Sequence, residues 1–267
     1  MSETLGIAGS GTIACGLAVA AAGTGHDVKL RARSEESATK AQKLIEKQCG
    51  RLDNTDEALR HIQVLTDIGE LGECSFVVEA VAEEIDIKAP LLKELAGVID
   101  ANAMLASTTS SLSVHELAAH AGLHDRFVGF HVFNPVPLMK LIEIVYPDEA
   151  SDDTKARART FCASIGKIGV EVPDTPGFVV NRLLFPYLFD AAKFLQETGL
   201  TPDAVDTCMK LGTGAPMGPL ALLDYVGMDV SIAIGESIGA DIPQNCRDLL
   251  AAGHLGKKTG KGFYDYS

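Results

Sequence analysis

Basic residues are scarce in this 267-residue chain: 23 lysines and arginines face 36 aspartates and glutamates, a formal net charge of −13. That balance argues against nucleic acid or an anionic membrane surface as a partner. Long apolar runs are missing as well. The longest, such as Phe76–Val81, are broken by charge within a few residues, and none nears the ~20 residues of a membrane span. No basic stretch leads into an apolar one at the N-terminus, because Gly9 and Gly11 interrupt it at once; the expectation is no export signal. The six cysteines (Cys15, Cys49, Cys74, Cys162, Cys208 and Cys246) are scattered, with no CxxC pair and no dense His/Cys cluster. Such spacing suits neither a disulfide framework nor a structural zinc site, so a reducing cytoplasm and no metal are expected. Internal repeats and low-complexity tracts are absent.

What remains is a chain with 46% hydrophobic residues, long enough for two unequal domains. Its first part alternates β-rich runs with helical patterns. Thr4–Ala8 reads as a strand, Thr12–Ala22 as a small-residue helix, Asp27–Arg31 as a second strand and Glu35–Gln48 as an amphipathic helix. Further apolar runs fall at Ile62–Leu65, Ser75–Val81, Ala103–Ala106, Phe127–Val132, Leu141–Tyr146 and Val170–Val172. Strands alternating with helices imply βαβ units and a mostly parallel sheet covered on both faces. After Asp174-Thr175-Pro176-Gly177 the strand signal stops. Helices are expected over Val179–Glu197, Pro202–Lys210, Pro219–Ile238 and Pro243–Ala252, with Pro202 and Pro219 in first turns. The boundary is placed at residue 174, giving an α/β N-terminal domain (1–174) and a smaller all-helical domain (175–267).

The string Gly9-Ser10-Gly11-Thr12-Ile13-Ala14 joins the first strand to the first helix. This is the pattern of a dinucleotide-binding turn, so the N-terminal domain reads as a doubly wound, Rossmann-type unit. The first glycine permits the tight turn, and the second lets the backbone approach a pyrophosphate. Ala14 keeps helix and strand close, and the helix N-terminus offers N–H groups to the anion. At the end of the second strand, where NAD-binding units place an acid on the ribose hydroxyls, stands Ala32 between Arg31 and Arg33, followed by Ser34. Arginine and serine suit a ribose 2′-phosphate, which favours NADP over NAD; the other reading is two solvated arginines at a strand end.

The densest cluster of chemistry-bearing residues runs through Ser107–Leu112, Phe130–Pro135, Met139–Glu143 and Asp174–Arg182. A lone His131 ending an apolar strand is more often a satisfied core residue than a base. Glu143 in an apolar strand, however, is costly to bury without a partner. Pairing the two satisfies both and orients the imidazole, as a general base for an alcohol requires.

With these residues in view, the chain resembles the 3-hydroxyacyl-CoA dehydrogenase family, in particular the short bacterial 3-hydroxybutyryl-CoA dehydrogenases. The strings HVFNPVPLMKLIEIV, DTPGFVVNRLL, MKLGTGAPMGPLALLDYVG and GKKTGKGFYDY carry the resemblance over essentially the whole chain. It implies hydride transfer between NAD(P) and C3 of a short 3-hydroxyacyl-CoA, in a cleft between the two domains. His131 would be acid and base, with Glu143 its orienting carboxylate. Ser110 and Asn181 would hydrogen-bond the reacting oxygen or the thioester carbonyl. Glu83 and Lys88 match positions that contact the nicotinamide half of the cofactor, and Asn134 and Lys258 match further cofactor contacts. A homodimer through the helical domain is also implied.

Three departures from the family pattern bear on specificity. Thr108 stands where the family usually has asparagine, and Ala32 where it usually has an acid. The segment around Cys49–Leu52 is shorter than the lysine-rich extension of relatives that helps to hold CoA. Lys40, Lys43, Lys47 and Arg51, spaced by three, four and four, fall on one face of a continuous helix. That stripe, with Lys47 and Arg51 nearest the shortened segment, reads either as a contact for CoA phosphates or as a solvated face. Two rival functions stay open: a β-hydroxy acid dehydrogenase for a substrate without CoA, and a non-catalytic dinucleotide-binding relative.

Overall fold

The computed structural model describes residues 3–52 and 54–266. Its contacts divide the chain into two units, Met1–Thr175 and Pro176–Ser267.

In the first unit the apolar runs become short strands. Those at the centre, β1 (Leu5–Ala8), β4 (Phe76–Glu79), β5 (Met104–Ser107) and β6 (Phe127–Val132), are buried at every position. Burial on both faces is why they read as unbroken hydrophobic runs rather than alternating ones. Flanking them are β2 (Val28–Arg31), β3 (Ile62–Leu65), β7 (Leu141–Val145) and β8 (Ile168–Glu171), in the order β3-β2-β1-β4-β5-β6-β7-β8. All neighbours are parallel except β6 and β7, which are antiparallel. Helices α1 (Thr12–Ala22), α2 (Glu35–Cys49), α3 (Thr55–Arg60), α4 (Ile85–Val98), α5 (Val114–Ala121) and α6 (Asp152–Ser164) make the connections. On one face Phe76 packs edge-on against Phe161 and Phe130, with ring centroids 4.8 and 5.5 Å apart. Each such ring, fully buried, contributes about 1.5–3 kcal/mol.

The strand order reverses direction between β1 and β4. In open α/β sheets the crevice beyond the carboxyl ends of the strands at such a point receives the ligand. Here that edge carries the segments that follow Ala8, Glu79, Ser107 and Val132.

The second unit is helical: α7 (Val180–Thr198), α8 (Pro202–Thr213), α9 (Pro219–Val226), α10 (Met228–Ser237) and α11 (Gln244–Ala251). They enclose Phe185, Leu188, Phe189, Leu220, Leu223, Met228 and Ile232. Thr201 caps α8 by accepting from the Ala204 amide at 3.2 Å, with Pro202 in the first turn. The single helix expected over 219–238 is in fact two. Gly227 sits at φ 100°, ψ 134°, a conformation outside any right-handed helix, and it ends α9 before α10 begins. Among the described residues, no helix is long and apolar enough to cross a membrane.

Candidate active site

The turn after β1 has the geometry of an anion cradle. Gly9 lies at φ 148°, and a side chain there would run into the Ala80 carbonyl. At Gly11, by contrast, a Cβ would meet nothing within 4 Å, so the backbone faces open space. Gly11 is the N-cap of α1 and supplies no side-chain cap, leaving the first-turn amides of Thr12, Ile13 and Ala14 to an external acceptor. Ser10 flanks this turn and is half-buried, while Ala14 is fully buried against the sheet. These residues fit a dinucleotide pyrophosphate.

At the end of β2, Ala32 is fully buried and leaves no acid at the strand end. Arg31 turns its Nε to the Thr66 carbonyl at 3.3 Å. Arg33 is exposed and, among the described residues, makes no ion pair. Ser34 is engaged elsewhere: its hydroxyl accepts from the Ser37 amide at 3.3 Å, and the Ser37 hydroxyl accepts from the Ser34 amide at 3.0 Å, a reciprocal cap on α2.

Two loops meet at the ends of β4 and β5. Glu83 Oε1 accepts from the amides of Ser110 (2.7 Å) and Ser111 (2.9 Å) and from the Thr109 hydroxyl (2.7 Å). The hydroxyls of Ser110 and Ser111 lie at 3.2 Å from the same oxygen. Burial pushes the Glu83 carboxyl up, but the Lys88 charge and the Thr109, Ser110 and Ser111 donors outweigh it and hold the group below its ordinary value. Lys88 is fully buried, its ammonium 2.8 Å from Glu79 Oε1 and 3.4 Å from Glu83 Oε2. Lys88 thus turns its charge to two carboxylates, Glu79 and Glu83.

His131 and Glu143 are opposed across the antiparallel β6–β7 ladder. Their spacing of twelve residues in the chain thus becomes direct adjacency. His131 Nδ1 donates to Glu143 Oε2 at 2.7 Å, and both residues are buried, at 6% and 1% exposure. An ionised carboxylate only accepts, so this bond fixes the imidazole tautomer and ring orientation. The Phe133 ring lies against the imidazole, centroids 4.5 Å apart. The segment joining the two strands is held from outside by Lys167, whose buried ammonium donates to the carbonyls of Val136 (2.5 Å) and Met139 (2.8 Å). Burial lowers the Lys167 pKa. Asn134, in this segment, is exposed.

In the second unit Asn181 is buried in the first turn of α7. Gly177, at φ 79°, makes the turn before it, where a Cβ would lie 2.6 Å from Ile238. Arg182 then anchors the helix start, donating to the Ile238 carbonyl at 2.7 Å. Lys258 is half-exposed and bound to both carboxylate oxygens of Asp229, 2.6 Å from Oδ2.

Lys40, Lys43, Lys47 and Arg51 are all exposed, but they do not form one helical stripe. α2 ends at Cys49, so Arg51 lies beyond it and the 100° spacing stops short of it. Lys40 is also paired with Glu36 at 2.6 Å. Sequence reasoning overlooked Glu79 and Lys167, and gave Ser107 no role beyond its place in the Ser107–Leu112 cluster. For Glu79 a signal was present, a carboxylate inside the apolar run Phe76–Val81, the same signal that singled out Glu143.

A doubly wound unit with a glycine cradle, a buried His–Glu pair at a strand end and a helical second unit defines a dinucleotide-dependent dehydrogenase architecture. The family profile for the 3-hydroxyacyl-CoA dehydrogenase NAD binding domain matches residues 4–175, and that for the family's C-terminal domain matches residues 177–266. The chain belongs to the 3-hydroxyacyl-CoA dehydrogenase family. It is 36% identical over 275 residues to a probable 3-hydroxybutyryl-CoA dehydrogenase of Deinococcus radiodurans, covering 98% of this chain and 99% of that one. With the 3-hydroxybutyryl-CoA dehydrogenase of Clostridioides difficile it shares 36% over 278 residues, again 98% and 99% of the two chains. The crystal structure of (S)-3-hydroxybutyryl-CoA dehydrogenase from Ralstonia eutropha superposes with a TM-score of 0.94 at 37% identity, covering all of both chains.

Proposed function

We propose that the protein transfers a hydride between NAD(P) and C3 of a short-chain 3-hydroxyacyl-CoA or 3-ketoacyl-CoA. The observation that carries this reading is the buried 2.7 Å contact between His131 and Glu143. With Nδ1–H held by the carboxylate, Nε2 removes the proton from the 3-hydroxyl in oxidation and returns it in reduction. Glu143 steadies the imidazolium formed on the way. Ser110 and Asn181 donate to the reacting oxygen or the thioester carbonyl, where negative charge grows. When bound, the nicotinamide ring supplies the hydride or accepts it. Gly9, Ser10, Gly11, Thr12, Ile13 and Ala14 hold its pyrophosphate, and Glu83, Asn134 and Lys258 complete the cofactor contacts. The fixed Glu83 carboxylate and the ordered Thr109–Ser111 segment support that placing.

NADP is the favoured cofactor, because Ala32 removes the acid and Arg33 projects from the strand end without an ion pair among the described residues. Two acids in the first turn of α2, Glu35 and Glu36, oppose the preference, and Ser34 is already engaged as a cap. Arg33 must therefore supply the contact. A charge-assisted bond to phosphate is worth about 1.5–3 kcal/mol, roughly ten- to a hundredfold in affinity. CoA phosphates meet Lys47 and Arg51, both exposed. A homodimer forms through the second unit, where Leu183, Phe194 and Leu211 are 70, 51 and 82% exposed. The compartment is the cytoplasm, in keeping with six free cysteines.

One assay tests the reading: reduction of acetoacetyl-CoA with NADH and NADPH side by side, and of free acetoacetate as the control. Turnover of the free acid at the rate of the thioester overturns the CoA assignment. Arg33→Ala should weaken NADPH use by about ten- to a hundredfold and leave NADH use nearly unchanged. A wild-type kcat/KM for NADH equal to or above that for NADPH defeats the cofactor preference.

A further inference from the structure

Glu79 ends β4 with no exposed surface at all. A carboxylate is taken out of water only where donors replace the water, and here three donors make four hydrogen bonds. Lys88 Nζ reaches both oxygens, at 2.8 and 3.0 Å. The Val81 amide donates to Oε1 at 2.7 Å, and the Ser107 hydroxyl donates to Oε2 at 2.6 Å. Ser107 Oγ in turn accepts the Thr109 amide at 3.2 Å.

Two of these donors, Val81 and Ser107, stand at the roots of two different loops. Val81 begins the segment that carries Glu83, and Ser107 begins the segment that carries Ser110. Glu79 thus holds the root of each loop, while Lys88 joins it to Glu83, whose other oxygen gathers Thr109, Ser110 and Ser111. Two carboxylates share one ammonium, and amides and hydroxyls balance the surplus negative charge.

We propose that Glu79 is a positioning residue: through Lys88, Glu83 and Ser107 its carboxylate fixes the Thr109–Ser111 segment and so places the Ser110 hydroxyl for the reaction. This rests on the assignment of Ser110 to the reacting oxygen or thioester carbonyl. A scaffold that kept only the fold intact would not need both loop roots on one carboxylate. Misplacement of a reacting contact by about 1 Å costs up to a hundredfold in rate, and that sensitivity is what the hub guards against.

The test pairs Glu79→Gln with the double variant Glu79→Gln/Lys88→Met. The single variant keeps the shape but leaves the buried Lys88 ammonium facing an amide. The double variant removes both buried charges, which is often neutral for stability. Three readouts are taken on each folded protein: thermal midpoint, kcat and KM for acetoacetyl-CoA, and amide hydrogen exchange at Ser110 and Ser111 against Phe130 in β6. In Glu79→Gln the Ser110 and Ser111 amides should exchange faster while Phe130 stays protected, and kcat should fall roughly ten- to a hundredfold with a smaller change in KM. The double variant should recover the thermal midpoint without recovering kcat, and it carries the same test if the single variant does not fold. A folded variant with wild-type kcat overturns the proposal, as does exchange at Ser110 and Ser111 that rises only in step with Phe130. Failure of the wild type to reduce any acyl-CoA defeats the functional reading alone, and the exchange comparison then decides the structural role of Glu79.

Discussion

In the first unit, the buried carboxylates Glu79 and Glu143 stand on strands at the edge where the loops gather, and their main partners are ionisable side chains, Lys88 and His131. In the second unit, the buried Asp206 and Asp224 turn mostly to backbone. Asp206 accepts from the amides of Leu220 and Ala221 at 2.9 Å and from the Tyr264 hydroxyl at 2.8 Å. It caps α9 from a neighbouring helix, since Gly218 at the N-cap has no side chain to do so. Asp224 accepts from the amides of Phe263 and Tyr264 at 2.9 Å and from the Tyr266 hydroxyl at 3.2 Å. Carboxylates of the first kind act on groups that can move protons or carry charge; those of the second kind close the chain upon itself. Burial of a carboxylate thus says little by itself, and the nature of its donor says what it is for.

The sharpest way to break that contrast is to remove the imidazole proposed to carry the proton. His131→Gln should lower turnover in the acetoacetyl-CoA assay by roughly 10²–10⁴-fold, the usual worth of general acid–base catalysis, with cofactor binding nearly unchanged. Glu143→Gln should lower it too, because the neutral amide no longer steadies the imidazolium. Near-wild-type turnover in His131→Gln would place the first unit's pair alongside the second unit's clips, as structure only.

Asp206→Ala probes the other side. It leaves one buried amide, one half-buried amide and a half-buried tyrosine hydroxyl without their acceptor; at about 1–3 kcal/mol for the buried group and less for the two that water can reach, the loss should come to roughly 2–4 kcal/mol. For a chain of this size that is a fall of roughly 5–12 °C in thermal midpoint. The kcat of the remaining folded enzyme should stay within about twofold of wild type. A tenfold drop in kcat without a thermal effect would show that this carboxylate also serves the chemistry.

The two kinds of carboxylate were not equally legible in the sequence. β1, β2, β6, α1 and the glycine turn follow from local pattern, because apolar runs and glycine spacing report local backbone demands. His131 and Glu143 were legible as well, since a polar residue in an apolar strand needs a partner. Glu79 carried the same mark but was passed over, because its partner Lys88 lies in a helix and no spacing rule joins the two. The break at Gly227 was hidden because its flanks, Leu220–Val226 and Met228–Ile238, are both helical in pattern. The strings around Gly218 and the C-terminus spoke only as resemblance. The structure gives their cause: side chains at Gly218 or Gly262 would run into the carboxyls of Asp206 or Asp224, and one at Gly256 into the Asp224 backbone. Clearance around a distant carboxylate leaves no local trace.

The smallest expected effect concerns pH, and it separates the two units by sign. Burial pushes the Asp224 carboxyl up, and the donors from Tyr264, Phe263 and Tyr266 offset this only in part, so its pKa lies above the ordinary 3.8. A carboxyl raised in the folded state contributes stability that is fully present below the ordinary value and lost as pH rises through the raised one. Glu83 is the reverse. Burial is outweighed there by Lys88 and the loop donors, its pKa lies below the ordinary 4.5, and its contribution is present above that value and lost as pH falls through the lowered one. Between about pH 6 and pH 3 the wild type therefore loses stability through Glu83 and regains some through Asp224. Glu83→Gln removes the loss, so its thermal midpoint should fall less across that window than that of the wild type. Asp224→Asn removes the regain, so its midpoint should fall more. Midpoints measured for the three proteins at half-unit steps of pH decide the matter, and equal slopes in the two variants, or slopes in the reverse order, would erase this difference of sign between the two units.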